Sequence, residues 1–231
     1  MTSTSRVRLA TVAAALTVGL TGCGVAGTSF HPGVAADIDG DTVTTAHVDE
    51  LVYDYCEAVR DQLRQDGSAV PLGYLRSGVV GQLTLAAAAE QLAEEQGVEP
   101  TQEYASALAQ LRTQTAGLSE AQREAVLEIN GSGVYVQAVE LAVGRKLLAE
   151  EGQRSPDDQT AGQRGVDELN TWLEEHDVEI NPEYGIEIVD GQPVDADTQL
   201  AVGVGDTART AALEEPDQQY AKSLPASQRC D

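Results

Sequence analysis

The sequence predicts a mainly α fold with a small β element, and three observations carry that expectation. Apolar residues recur at helical spacing in one segment after another from residue 45 to residue 176. Period-two alternation is confined to short stretches on either side of that span. The composition fits a folded, Ala/Leu/Val-rich domain: 42% of the 231 residues are hydrophobic and only 4% are aromatic. Charge narrows the field further, because 38 Asp and Glu stand against 14 Lys and Arg, a formal net charge of −24. Nucleic acid and anionic lipid surfaces would be repelled on average. With one Trp and one Phe, an aromatic platform for bases or sugars is not expected.

Residues 1–22 read as an export signal. Arg6 and Arg8 precede an uncharged run from Leu9 to Leu20 that is too short for an ordinary membrane span. The run ends in Leu20-Thr21-Gly22-Cys23, which is similar to a bacterial lipobox and makes Cys23 the expected lipidation site. The other reading is an ordinary signal with a chance cysteine at its cleavage site. Acyl chains contribute roughly 0.8 kcal/mol per buried methylene, so lipidation would anchor the chain to a membrane without a spanning helix. Residues 23–33 are rich in Gly, Ser, Thr and Pro and read as a flexible tether. The body of the chain is expected over 34–206, with an extended C-terminal arm over 207–231.

Lipidation of Cys23 would leave Cys56 and Cys230 as the remaining thiols of an exported chain, and a single disulfide is the natural reading. Such a loop would stabilise by roughly 4 to 5 kcal/mol as an upper figure. The alternative is a buried free thiol in a helix and an exposed one on a frayed tail.

Within the body, Val34–Ile38 and Thr42–Thr44 flank Asp39-Gly40-Asp41, and Asp-Gly between β-prone residues predicts a hairpin. The same acidic run has its glycine at the wrong position for a calcium loop, and Val48 stands where the bidentate glutamate should be. Thr44 or Thr45 can cap a helix with Val48, Leu51, Val52, Tyr55, Val59 and Leu63 on one face. Gly67-Ser68 ends it. Pro71 opens a second helix that runs through Leu72, Leu75, Val79, Leu83 and Ala86 to Gln96, before Gly97. A third is expected from about Thr101 to Thr115 and a short fourth from Ser119 to about Glu128. Asn130-Gly131-Ser132-Gly133 reads as the clearest internal break. Beyond it Val134–Glu151 shows two apolar rows and is the candidate central helix. Gly152 to Gly165 reads as a polar linker, followed by a helix around Val166–His176 bearing Leu169, Trp172 and Leu173. Short strands are then expected at Val178–Ile180, Ile186–Ile188 and Leu200–Val204.

The order of these elements and the wording of two segments resemble a known family. A lipobox, then Val34-Ala35-Ala36-Asp37-Ile38-Asp39-Gly40-Asp41-Thr42-Val43-Thr44, then a helix from Ala46-His47-Val48-Asp49, resembles the N-terminal segment of SurA/PrsA-type chaperones. Trp172-Leu173 followed by Asp177-Val178-Glu179-Ile180-Asn181-Pro182-Glu183-Tyr184-Gly185 is similar to the segment after their prolyl-isomerase domain. The resemblance covers roughly residues 34–188 and implies a helical bundle in which the N- and C-terminal segments pair as short strands. It also implies a chaperone without isomerase activity, because Gly152–Gly165 is far too short to hold a parvulin domain. The ending Leu224-Pro225-Ala226-Ser227-Gln228-Arg229-Cys230 resembles that of short, parvulin-less actinobacterial lipoproteins of this kind.

Motifs for chemistry are missing from the sequence. His31, His47 and His176 have no zinc-site spacing, and there is no His-Glu-x-x-His, Gly-x-Ser-x-Gly or P-loop. Adjacent carboxylates such as Glu94-Glu95 and Glu174-Glu175 read as solvated helix faces. Neither a catalytic residue, a metal ligand nor a cofactor is therefore expected. Two functions remain: a membrane-anchored extracytoplasmic holdase for unfolded or exported polypeptides, or a dedicated cell-envelope assembly factor with one protein partner. An enzyme is a distant third.

Overall fold

A computed structural model describes residues 32–196 and 216–231. The expected leader, Cys23, His31 and the expected strand Leu200–Val204 lie outside the described residues. The fold is mainly helical with short antiparallel strands, as the periodicity predicts.

The hairpin forms first in sequence. Strands β1 (Val34–Ile38) and β2 (Asp41–Thr44) are joined at Asp39 and Gly40, whose φ angles of 50° and 95° are those of a mirror-image two-residue turn. That turn matches the strands' right-handed twist and is cheap only for residues such as Asp and Gly. The Asp37 carboxylate accepts from the Gly40 N–H at 2.9 Å and fixes the bend. Ala35, Ala36 and Ile38 of β1 are fully buried.

Helix α1 (Thr45–Asp66) is capped by Thr44, whose hydroxyl accepts from the His47 N–H, and ends at left-handed Gly67. A two-residue strand β3 (Val70–Pro71) leads into α2 (Leu72–Gln96), which ends at left-handed Gly97. Its alanine run is buried at Ala88 and Ala89, and Ala93 one turn on is buried as well; small side chains there let neighbouring elements come close. Helix α3 (Gln102–Gln114) has no buried residue and packs along the next helix.

That next helix corrects the sequence reading. α4 is a single helix from Glu120 to Glu150, with Ser119 and Gln122 forming a capping box at its start. The expected break at Asn130–Gly133 does not exist. Gly131 and Gly133 are packing points: a Cβ at Gly131 would meet Leu108 Cδ2 at 3.2 Å, and one at Gly133 would meet Gln82 Oε1 at 3.2 Å. Ser132 stays helical by donating its hydroxyl to the Glu128 carbonyl at 2.7 Å. The longer helix is central, as its two apolar rows imply, and packs against α1, α2, α3 and α5 (Asp158–Glu175).

α5 also begins eight residues before the expected Val166. Asp157 caps it by accepting from the Thr160 N–H, so only residues 152–157 remain as linker. Gly162 and Gly165, read as linker residues, lie inside the helix. Gly144 of α4 and Gly165 of α5 sit at a backbone-to-backbone crossing: a Cβ on Gly144 would collide with the Ala161 carbonyl, and one on Gly165 with the Glu140 carbonyl. Only glycine permits that approach.

After α5 the chain returns to the hairpin. Strand β4 (Val178–Ile180) pairs antiparallel with β1 through Ala36–Ile180, Asp37–Glu179 and Ile38–Val178, giving a sheet in the order β2-β1-β4. Asn181 extends the seam, donating its N–H to the Ala35 carbonyl at 2.8 Å and its side-chain amide to the Val34 carbonyl at 3.0 Å. A 3-10 turn (Pro182–Tyr184) precedes a second hairpin, β5 (Ile186–Val189) and β6 (Gln192–Asp195). Its turn, Asp190-Gly191, has φ angles of 50° and 68°. The sequence reading missed β6, although it carries the same Asp-Gly signal as the first hairpin.

The last residues correct the expectation of a wholly extended arm. They form a short helix α6 (Gln218–Ser223) and a strand β7 (Arg229–Cys230) that pairs with β3. Cys56 and Cys230 are bonded, with Cα atoms 5.5 Å apart across 174 residues of sequence. The Gln218 side chain reinforces the join, donating to the Ala69 carbonyl at 3.1 Å and accepting from its N–H at 3.0 Å. The core runs continuously from Ile38, Val48 and Val52 through Val79, Val80 and Leu92 to Val139, Val143 and Leu169. Truncating a buried leucine such as Leu92 or Leu169 would cost about 2–5 kcal/mol.

Candidate functional site

Two helical faces and one strand enclose a cleft of about 580 Å³. Leu83, Ala86, Ala87 and Glu90 of α2 recur at i, i+3, i+4 and i+7, and so do Glu128, Gly131, Ser132 and Tyr135 of α4. Each set therefore shares one side of its helix. Small residues at the facing positions, Ala86, Ala87, Gly131 and Ser132, keep the space between the helices open. Leu83, Leu127 and Val43 supply larger apolar surface, and β2 forms a further wall through Thr42, Val43 and Thr44.

The rim is polar and anionic. His47, in the first turn of α1, meets Glu128 at Nε2 to Oε1 2.6 Å, with both side chains largely exposed. Tyr104 of α3 and Tyr135 of α4 meet edge to face with ring centroids 5.3 Å apart, a favoured aromatic geometry. Burial, and secondarily the nearby carboxylate of Glu90, pushes the Tyr135 phenol above its ordinary value, so it remains a neutral donor at physiological pH. Glu90 is exposed at the cleft mouth. The cleft lining contains no lysine or arginine.

β2 adds main-chain chemistry. It pairs with β1 on one side and is an edge of its sheet among the described residues. Ile38 and Asp41 close a two-residue turn as a hydrogen-bonded pair, so the alternation of an antiparallel ladder leaves the N–H and C=O of Thr42 on the outer side. An open edge of this kind is a ready template for another extended chain.

A second, smaller cleft of about 440 Å³ is lined by Thr45, Asp49, Gly73, Arg76, Ser77, Glu183 and Tyr184. Its groups are mutually satisfied: Arg76 pairs with Asp49 at 2.6 Å and Ser77 donates to the Tyr184 carbonyl at 2.6 Å. It reads as a structural joint between α1, α2 and the 3-10 turn.

Cys56 and Cys230 come together as a covalent tie. His47 and His176 do not approach each other; His176 stacks on Trp172 with ring centroids 3.9 Å apart and faces Glu95 at 3.4 Å. Among the described residues no group of three His, Cys, Asp or Glu side chains could hold a metal ion, and no helix is long and apolar enough to cross a membrane. Sequence reasoning missed Tyr104, Tyr135, Glu90 and Glu128. The seven-residue pattern on α4 was the available signal, and a break placed at residues 130–133 hid it.

Compared with known proteins, the chain matches no family profile, no curated protein and no solved structure.

Proposed function

We propose that this chain is a membrane-anchored, extracytoplasmic, chaperone-like lipoprotein that holds unfolded or exported polypeptides, with a domain of SurA/PrsA type and no isomerase. The observation that carries the reading is the open, apolar-floored cleft beside the free edge of β2. Such a surface can bury client side chains without a demanding fit, while the strand edge engages main chain that every polypeptide has. Small floor residues suit a site that accepts varied side chains. The pairing of β1 with β4 supports the resemblance in arrangement, because it joins the two segments that resemble the ends of a chaperone domain. The acidic surface favours solubility of a loaded complex and keeps the body off an anionic bilayer. Anchoring rests on Cys23 and the apolar leader before it.

Aggregation assays test this. The intact, disulfide-bonded chain should suppress aggregation of several unrelated unfolded proteins near stoichiometric ratios without nucleotide or metal. Suppression of none of them, with capture of a single envelope protein from crosslinked intact cells, would replace the holdase reading with that of a dedicated assembly factor.

A further inference from the structure

The cleft's shape and charge together specify more than a generic apolar site. Its one open main-chain edge is β2, where Thr42 presents a donor and an acceptor outward and Val43 is half-buried. A segment laid along that edge would become a fourth strand in the order segment-β2-β1-β4. Its alternate side chains would then point to one side, about 7 Å apart, which places them over the floor made by Leu83, Ala86 and Ala87. A helical occupant would leave the Thr42 groups unused, and an extended one satisfies them.

Charge selects among extended segments. The cleft lining carries two carboxylates, Glu90 on α2 and Glu128 on α4; Asp41 precedes Thr42 on β2, and Glu94, one turn beyond Glu90, is close enough to act on Tyr135. Glu128 is engaged by His47, and Asp41 accepts from the Gln91 amide at 3.1 Å. Glu90 and Glu94 have no cationic partner among the described residues. With no lysine or arginine in the lining, the mouth is a region of negative potential, and the chain's net charge of −24 raises the local concentration of cations further. The Tyr104–Tyr135 pair beside Glu90 offers aromatic surface on which a guanidinium or ammonium can rest. An acidic segment would be repelled at Glu90 and Glu94.

We propose that the cleft binds an extended, predominantly apolar peptide segment carrying lysine or arginine, added as a strand to the outer edge of β2, with its apolar side chains over Leu83, Ala86 and Ala87 and its cation at Glu90. This rests on the holdase reading of the cleft and names the class of client segment it prefers.

The test uses the intact, disulfide-bonded chain and three fluorescein-labelled ten-residue peptides. All share the same alternating Val/Leu and Ser framework and differ in two residues, which are Lys, Gln or Glu. Fluorescence anisotropy at low salt should give the Lys peptide a dissociation constant at least tenfold below that of the Gln peptide, with the Glu peptide weakest. The gap should narrow to about threefold or less at high salt, where the Debye length is only a few ångströms. Glu90→Gln should reduce the Lys-over-Gln preference by half or more. N-methylation of alternate peptide amides should weaken binding about tenfold in one register and little in the other. Thr42→Pro, which removes an outward N–H from an edge strand where proline is tolerated, should weaken all three peptides. A Lys peptide that binds no better than the Gln peptide overturns the charge assignment while leaving the holdase intact. Binding insensitive to N-methylation in both registers overturns the added strand. Failure of every peptide to bind, while unfolded proteins are still held, moves the client site elsewhere, whereas failure with clients as well removes the holdase reading itself.

Discussion

Glu140 offers a quantitative check on how α4 and α5 are packed. Its main chain lies against Gly165 at the backbone-to-backbone crossing of α4 and α5, its side chain is half-buried, and it makes no hydrogen bond or ion pair among the described residues. Burial therefore pushes its carboxyl up from 4.5 to about 7. Between those two values the folded chain holds a proton that the unfolded chain has released, so stability must fall as pH rises through the window and be lowest above it. At 1.36 kcal/mol per pH unit, the full shift would amount to about 3.4 kcal/mol. Water still reaches part of the side chain, and screening brings the expected penalty to about 1–2 kcal/mol. Glu140→Gln keeps the shape and removes the charge. Urea melts of both proteins from pH 4 to pH 8, with the disulfide intact, should show the variant equal to the parent near pH 4 and more stable by about 1–2 kcal/mol at pH 8. In thermal melts that corresponds to roughly 2–8 °C for a domain of this size. A stability difference that stays constant across this range would refute the buried, unpartnered carboxyl and the tight crossing that creates it.

Other consequences follow from the same packing. Gly144→Ala or Gly165→Ala should each destabilise by about 3 kcal/mol or more, because the new methyl meets backbone that cannot rotate away; a loss of about 1 kcal/mol or less, the ordinary cost of a point substitution, would contradict the crossing. Cys56→Ser should cost about 2–5 kcal/mol, and the intact mass of the unreduced parent should be two hydrogens lighter than after reduction. Glu179→Pro removes an N–H that the register turns toward Asp37 and should cost about 3 kcal/mol, as read by denaturant midpoint. Cys23→Ala should release the protein from membranes at high salt, and retention there would remove the lipid anchor from the account.

Local chemistry made much of the fold legible. The Asp39-Gly40 turn, the Thr44 cap and the stops at Gly67 and Gly97 are each decided within a few residues, and the structure has them where the sequence predicts them. The pairing of β1 with β4 is a long-range contact that period-two alternation and a resemblance between segments were enough to suggest. What failed were glycines whose reason lies on another helix. Gly131 and Gly133 look like a break until Leu108 and Gln82 are seen packed on them, and Gly165 looks like linker until the Glu140 main chain of α4 is seen crossing against it. Glycine costs a helix only about 1 kcal/mol, an amount that close packing outweighs. The β5–β6 hairpin was readable from Asp190-Gly191 by the logic applied to Asp39-Gly40. The cleft was out of reach for a different reason: its floor and rim come from α2 and α4 together, and their facing patterns emerge only when α4 is continuous.

The central claim is that unfolded polypeptide is held in the cleft between α2, α4 and β2. Its most direct measurement places a photo-crosslinking amino acid at Ala87, in the cleft lining, and separately at Glu174, on α5, in the intact protein loaded with a reduced, carboxymethylated client. The account predicts efficient crosslinking from position 87, competed by excess unlabelled client, and little from position 174. Equal yields from both positions, or none from position 87 while the client's aggregation is still suppressed, would contradict it.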